Sequence, residues 1–176
     1  MKFEVDTRSV EALSRRLRAV AQDSPRAFKQ TIQTVARIAK TEAKRASAGP
    51  YNVAQGRVAD GIVIRSTDDS VVIRGSKRPL TLRAFGARQT RAGVVVTVFR
   101  QAGRKLIRKG FSPAKFNGVP FARSGESRYP IRALTGPSVA DMLNNESVSK
   151  PFGVVLSDRA KAEIDRRISR ELARRG

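Results

Sequence analysis

At Gly49-Pro50 the hydrophobic period of the chain changes, and that change limits the fold more than any other feature. Before it, Val10, Leu13, Leu17 and Val20 recur at three and four residues, as do Phe28, Ile32, Val35, Ala39 and Ala43, the spacing of one helical face. Asp6 or Ser9 can cap the first of these helices, which ends near Asp23. Ser24-Pro25 gives the second an N-cap and a first-turn proline, the position where a missing N–H costs nothing. After Pro50 the chain turns to short β-branched runs separated by Gly, Pro, Asn and Asp, which reads as strands. The runs are 61–66, 70–75, 80–84, 94–100, 104–109, 119–123 and 129–133. They predict an antiparallel sheet of four to six strands, with turns at Asp68-Asp69 and at Asn117-Gly118, a hairpin signal if its flanks pair.

Beyond Gly136-Pro137, Ser138 is placed to cap a short helix ending at Leu143. Ser157 opens a last helix in which Ala160, Ile164, Ile168 and Leu172 fall four apart. Glu163 with Arg167, and Glu171 with Arg175, are acid-first pairs on it. The fold class is therefore α+β: N-terminal helices packed on a central antiparallel β-sheet, with a C-terminal amphipathic helix. Residues 1–176 read as one domain, helical over 7–49, β-rich over 51–134 and helical again over 138–175. Its core is expected to draw on Phe28, Ile32, Val35, Ile62, Ile64, Val72, Val94, Val96 and Val98.

Charge bounds the partners. The chain carries 36 Lys and Arg against 15 Asp and Glu, a formal net charge of +21. Between Asp69 and Glu126, 56 residues pass without a carboxylate while thirteen Lys or Arg occur, from Arg74 to Arg123. Such a field calls for a polyanion or an acidic protein surface, because neutralising phosphates with Lys and Arg releases condensed counterions. Seven cations in this run, Arg88, Arg91, Arg100, Arg104, Lys105, Arg108 and Lys109, are the candidate contacts, with Arg128 and Arg132 just beyond it. Along 104–109 strand alternation puts Leu106 between two Arg on one face and Ile107 between two Lys on the other. That pattern suits either a basic arm or a sheet edge protected by charge. With aromatics at 6%, nucleic-acid contact would be backbone-directed rather than sequence-specific.

The same inventory argues against catalysis. There is no Cys and no His, which removes thiolates, zinc clusters and imidazole bases, and no phosphate-cradling loop is found. Glu42-Ala-Lys44 has the acid-x-Lys spacing of metal-dependent nucleases, but it sits mid-helix. No cofactor is expected. No apolar run approaches a membrane span, and the first residues have no apolar leader, so a cytoplasmic site of synthesis and assembly is expected.

The stretch Phe85-Gly-Ala-Arg-Gln-Thr90, then Gly93-Val-Val-Val, Lys109-Gly-Phe111, Asn117-Gly118, Arg123, Arg128-Tyr-Pro-Ile131, Leu134 and Gly136-Pro-Ser138, resembles the minor tail protein Z family of tailed bacteriophages and prophages. The likeness runs over roughly residues 80–143, and the helical N-terminus and basic helical C-terminus are also similar. One departure is Ser112-Pro113, which follows Phe111 where an apolar residue is usual and predicts a strand broken or shifted there. The resemblance implies a non-enzymatic virion component in the tail and neck, acting in tail completion and head-to-tail joining. It implies tail terminator and connector proteins as partners, homo-oligomeric rings of six or a multiple, and packaged DNA nearby. Charge alone leaves a second reading, a cellular nucleic-acid-binding protein without sequence preference.

Overall fold

The computed structural model describes residues 25–66 and 71–173. The helix expected over 7–23, the Asp68-Asp69 turn, the side chain of Phe28 and the Glu171 to Arg175 pair lie outside the described residues. Helix α1 spans Pro25–Ala48 and ends where Gly49 donates its N–H to the Arg45 carbonyl (3.1 Å). Its buried face is built from small residues, Thr31, Ala39, Ala43 and Ser47 among them, so that another helix can approach closely. Ile32 and Val35 lie on its half-buried flanks.

The helix that approaches is the C-terminal one, Glu146–Ala173. Arg159 Nη1 donates to Glu42 Oε1 (2.9 Å), and Arg167 Nη2 to Thr34 Oγ1 (2.9 Å). Moving eight residues back in α1 thus matches eight forward in the other helix, so the two run antiparallel. Glu42 also accepts from Arg45 (3.2 Å), and the buried Glu163 accepts from Arg166 and Arg167. Burial pushes the Glu163 carboxyl up, but hydrogen bonds and charge from the two guanidiniums outweigh it and hold it below the usual carboxylate range.

This helix begins eleven residues before the expected start at Ser157. Pro151 and Gly153 read as breakers, yet Asn145 starts it firmly: its Oδ1 accepts from the Ser147 N–H (3.0 Å) and hydroxyl (2.7 Å). Burial of Val148 and Phe152 then overrides the local cost of Pro151. Short helices flank the β region. Helix α2, Gln55–Asp60, was not expected and is held by the fully buried Val58. Helix α3, Val139–Asn144, opens as expected at Ser138, whose Oγ accepts from the Asp141 N–H (3.1 Å) while Asp141 Oδ2 accepts from the Ser138 N–H (2.9 Å). The hydrogen bond from the Ser138 hydroxyl, then that from its N–H, holds the Asp141 carboxyl below its usual range. In chain order the C-terminal helix is α4.

The fold is the expected α+β mix, and among the described residues the strands are all antiparallel, but they form four small sheets instead of one central sheet. Strands β1 (Ile62–Ser66) and β2 (Val71–Gly75) make a hairpin; β3 (Pro79–Thr81) pairs with β10 (Thr135–Ser138). Strands β4 (Arg88–Thr90), β5 (Gly93–Val96) and β6 (Lys105–Ile107) make a third sheet, and β7 (Gly110–Phe111), β8 (Phe121–Arg123) and β9 (Ile131–Ala133) a fourth. The 80–84 run is cut short by a 3-10 turn at Leu82–Phe85, the 94–100 run ends as a strand at Val96 with a second such turn at Arg100–Ala102, and a third at Ala114–Phe116 lies between β7 and β8. As Ser112-Pro113 predicts, β7 stops at Phe111. Asn117 and Gly118 both take positive φ, 52° and 68°, and turn the chain back so that Phe111 pairs with Phe121.

The core lies where α1, α2, α3 and the start of α4 meet the β1–β2 hairpin and the β3–β10 pair. It is filled by Tyr51, Val58, Leu82, Phe85, Val139, Met142 and Phe152, none of them expected from periodicity, together with Ile62 and Val96, which were. Ile64 and Val98 pack on its margin, and Val94 is fully buried beside it. Val72 is a correction: it is 40% exposed. It pairs with Arg65 and shares the outward face of the hairpin with Val63 and Arg74, while Ile62, Ile64 and Ile73 face in.

Candidate polyanion interface

In the sheet β4–β5–β6, register fixes which side chains share a face. Arg88 sits opposite Val95, which sits opposite Leu106; Gln89 sits opposite Val94, which sits opposite Ile107. Directly paired residues project to the same side. The row containing Val94, with Val96 and Ile107, turns inward to the protein body. The row containing Arg88, half-buried Val95 and Leu106, 40% exposed, turns outward. Alternation puts Arg104, one residue before β6, on that outward side with Leu106, so two guanidiniums flank a small apolar strip; Arg108 follows in the turn after β6.

Two glycines make this sheet possible. A Cβ on Gly93, whose φ is 135°, would run into the Ile107 carbonyl and the Arg108 backbone. One on Gly110 would lie 3.1 Å from Val94 Cβ. The chain therefore folds tightly from β6 through Arg108 and Lys109 into β7, holding those two cations at the sheet margin. Gln89 secures the other side: its Oε1 accepts from the Ser112 N–H (2.7 Å) at the end of β7.

Over the outward face runs a groove of about 490 Å³, lined by Arg88, Arg104, Thr90, Val95, Thr97 and Asn52 among others. Asn52 Nδ2 donates to the Phe85 carbonyl (3.0 Å), fixing the amide at the groove wall. Gly86 beside it has φ 74°, which allows the chain to turn from the 3-10 segment into β4. Lining the groove are donors only from Arg and Asn, two hydroxyls and no carboxylate. An extended anion fits it.

The remaining candidates distribute around this face. Arg91 sits in the two-residue turn between β4 and β5. Arg100 heads a 3-10 turn anchored to the end of α1 by its N–H to the Pro50 carbonyl (2.9 Å) and by Tyr51 against Phe99, ring centroids 4.5 Å apart. Lys105 lies on β6, an edge strand of its sheet, but opposite Val96, so register puts it in the other row, where it is still exposed. All seven cations are exposed, and no ion pair among the described residues holds any of them. Arg128 and Arg132 do not join the cluster. They belong to the β7–β8–β9 sheet and its loop, Arg128 lying 5.9 Å from the Tyr129 ring centroid and Arg132 pairing with Ala122.

Sequence reading found the cations and missed Asn52 and Thr97, which carry no motif and reach the groove only through the fold; Thr90 lay in a quoted stretch but was not read as a site residue. It also overcounted free charge in the acid-free run. Arg123 lies over Phe111 (6.0 Å) and Lys115 over Phe116 (5.4 Å), bracing a cluster in which Phe116 and Phe121 centroids are 5.1 Å apart. The acid-x-Lys spacing at Glu42 has a structural explanation, since that carboxylate joins α1 to α4. Among the described residues, no three His, Cys, Asp or Glu side chains gather as a metal site would need. Comparison with the models of known protein families, with curated proteins and with solved structures gives no match to this chain.

Proposed function

We propose that the chain is a non-enzymatic structural component of a tailed-phage virion, a minor tail protein acting in tail completion and head-to-tail joining at the neck. In this reading its β4–β5–β6 surface faces DNA or acidic neighbouring subunits. The observation that carries it is the gathering of Arg88, Arg91, Arg100, Arg104, Lys105, Arg108 and Lys109 on one small sheet and its connections, exposed and without ion pairs there. The residues behind the family resemblance also have work that suits a scaffold. Gly93 admits the β6–β7 crossing, Asn117-Gly118 makes a left-handed turn, Gly136 lies where a Cβ would meet the Phe85 ring at 2.7 Å, and Ser138 caps α3.

The resemblance further suggests rings of six copies, with tail terminator and connector proteins as partners. Three acids have structural work that suits a role without catalysis: Glu42 joins α1 to α4, Glu163 pairs with Arg166 and Arg167 within α4, and Asp141 caps α3. Immunolabelling of assembled particles tests the proposal. Label confined to the neck is expected. Absence of the chain from particles, together with salt-sensitive DNA binding by the free protein, would overturn it in favour of a cellular nucleic-acid-binding role.

A further inference from the structure

A second basic concavity lies away from the candidate face. Its volume is about 590 Å³, within the usual size of ligand clefts. Three guanidiniums line it from three different elements: Arg57 from α2, Arg78 from the link between β2 and β3, and Arg83 from the 3-10 turn after β3. Against them stands one carboxylate, Asp60, and no ion pair among the described residues joins it to any of the three. Like charges converging in a concave surface repel, so the vacancy of charge favours an anionic occupant.

The site is built and not merely exposed. Arg83 Nη1 donates to the Asn117 carbonyl, whose residue is held at φ 52°, which fixes the guanidinium at the rim and leaves its other N–H groups free to donate. The Arg78 N–H donates to Ser76 Oγ (3.2 Å), and the Ser76 N–H to the Gly61 carbonyl (2.7 Å), so the segment carrying Arg78 is tied to the end of α2. Behind it Gly61 and Gly75 let α3 press on the hairpin: a Cβ on Gly61 would stand 2.5 Å from Val139 Cγ2, and one on Gly75 2.6 Å from the Ala140 nitrogen. The lining also has an apolar part, the half-buried Leu80 and Val119, with Val139 buried behind them.

The apolar part of the lining decides the ligand class. A nucleic-acid backbone would engage the guanidiniums and leave Leu80 and Val119 facing sugar and water. A peptide segment with a carboxylate next to an aliphatic side chain would engage both. We infer that this concavity is a docking site for a short acidic and aliphatic segment of a partner protein, its carboxylates held by Arg57, Arg78 and Arg83 and its aliphatic group set against Leu80 and Val119. The inference stands apart from the assembly role, since it draws on a different surface.

The test is an amide-resolved NMR titration of the full chain with acetyl-Asp-Leu-Asp-amide, acetyl-Asp-Gly-Asp-amide, inorganic phosphate and oligothymidylate. The leucine peptide is expected to shift Gly61, Ser76, Leu80 and Val119 and to bind at least about tenfold more tightly than the glycine peptide or phosphate. Arg78→Glu should weaken it about tenfold or more without moving the melting midpoint. Arg57→Gln, a milder change on an exposed helix position, should weaken it severalfold even if the charge reversal fails to fold. Equal affinity for phosphate and both peptides would overturn the inference, as would oligothymidylate displacing these amides while neither peptide does. Undiminished binding in both variants would overturn it as well.

Discussion

The outward face of the β4–β5–β6 sheet makes a quantitative claim about DNA binding. Arg88 and Arg104 stand on that face and Arg108 in the turn at its margin, and each phosphate they neutralise contributes about −0.9 to the slope of log affinity against log salt. Replacing all three by alanine should therefore make the slope shallower by about 2.7. Over a rise from about 50 to about 200 mM salt, the native protein should lose roughly forty-fold more affinity than the triple variant. Fluorescence anisotropy on a short labelled duplex at several salt concentrations reads this directly. Because the three side chains are exposed and have no ion pair in the described residues, each substitution should shift stability by no more than about 0.5 kcal/mol. A double variant lacking Arg128 and Arg132, on the other sheet, serves as the control. If the triple variant keeps the native slope, or the control flattens it equally, DNA does not lie on this face.

Two glycine positions should respond with opposite signs in thermal melts. Gly56 lies inside α2 with open space where a Cβ would project, so Gly56→Ala should add about 0.5 to 1 kcal/mol and raise the midpoint by roughly 1 to 4 °C. In Gly75→Ala the new carbon would press on the backbone of Val139 and Ala140, costing about 1 to 3 kcal/mol and lowering the midpoint by roughly 2 to 12 °C; an unchanged midpoint would disprove the tight crossing of α3 over the hairpin. Acid should loosen the fold through Glu163 and Asp141, whose carboxyls sit below their ordinary values in the folded chain. Their stabilisation is complete above about pH 5 and is lost as pH falls through and below the carboxylate range. Urea titrations across that range should show Glu163→Gln with a lower stability at neutral pH and a flatter acid decline; a parallel decline would remove Glu163 as a cause.

Local signals placed the helices well where the chain supplies its own stops. Pro25, Gly49-Pro50 and Ser138 each act within a few residues, so α1 and the start of α3 were legible. The early start of α4 was not, because its cause is distant: Val148 and Phe152 are buried by other elements, and that burial offsets Pro151. The sheet was misjudged for a related reason. Period-two alternation marks strands but says nothing about which strands pair: β3 pairs with the distant β10, and β6 pairs back on β5 while β7 begins another sheet. Val72 shows the limit of composition within a strand: among Val71, Val72 and Ile73, only the hairpin register tells which faces in. The candidate site divides in the same way. Its cations announce themselves by the missing carboxylates, whereas the groove depends on Asn52, which is 36 residues before its neighbour Arg88 and is fixed there by its side chain on the Phe85 carbonyl and its N–H on the Val98 carbonyl.

Strand β6 ends its sheet with one edge unpaired by another strand, and such edges invite a second copy to add on. The sequence along it makes that addition unfavourable. Antiparallel pairing of two copies centred on Leu106 would set each Arg104 against the other's Arg108, and centring on Ile107 would set Lys105 against Lys109. Like charges directly opposite destabilise a strand pair, and each of these registers contains two such encounters. At a net charge of +21 the molecules already repel at a distance, and this edge repeats that repulsion at contact range. A concentrated solution of the free chain is thereby protected from sheet-to-sheet growth at this edge.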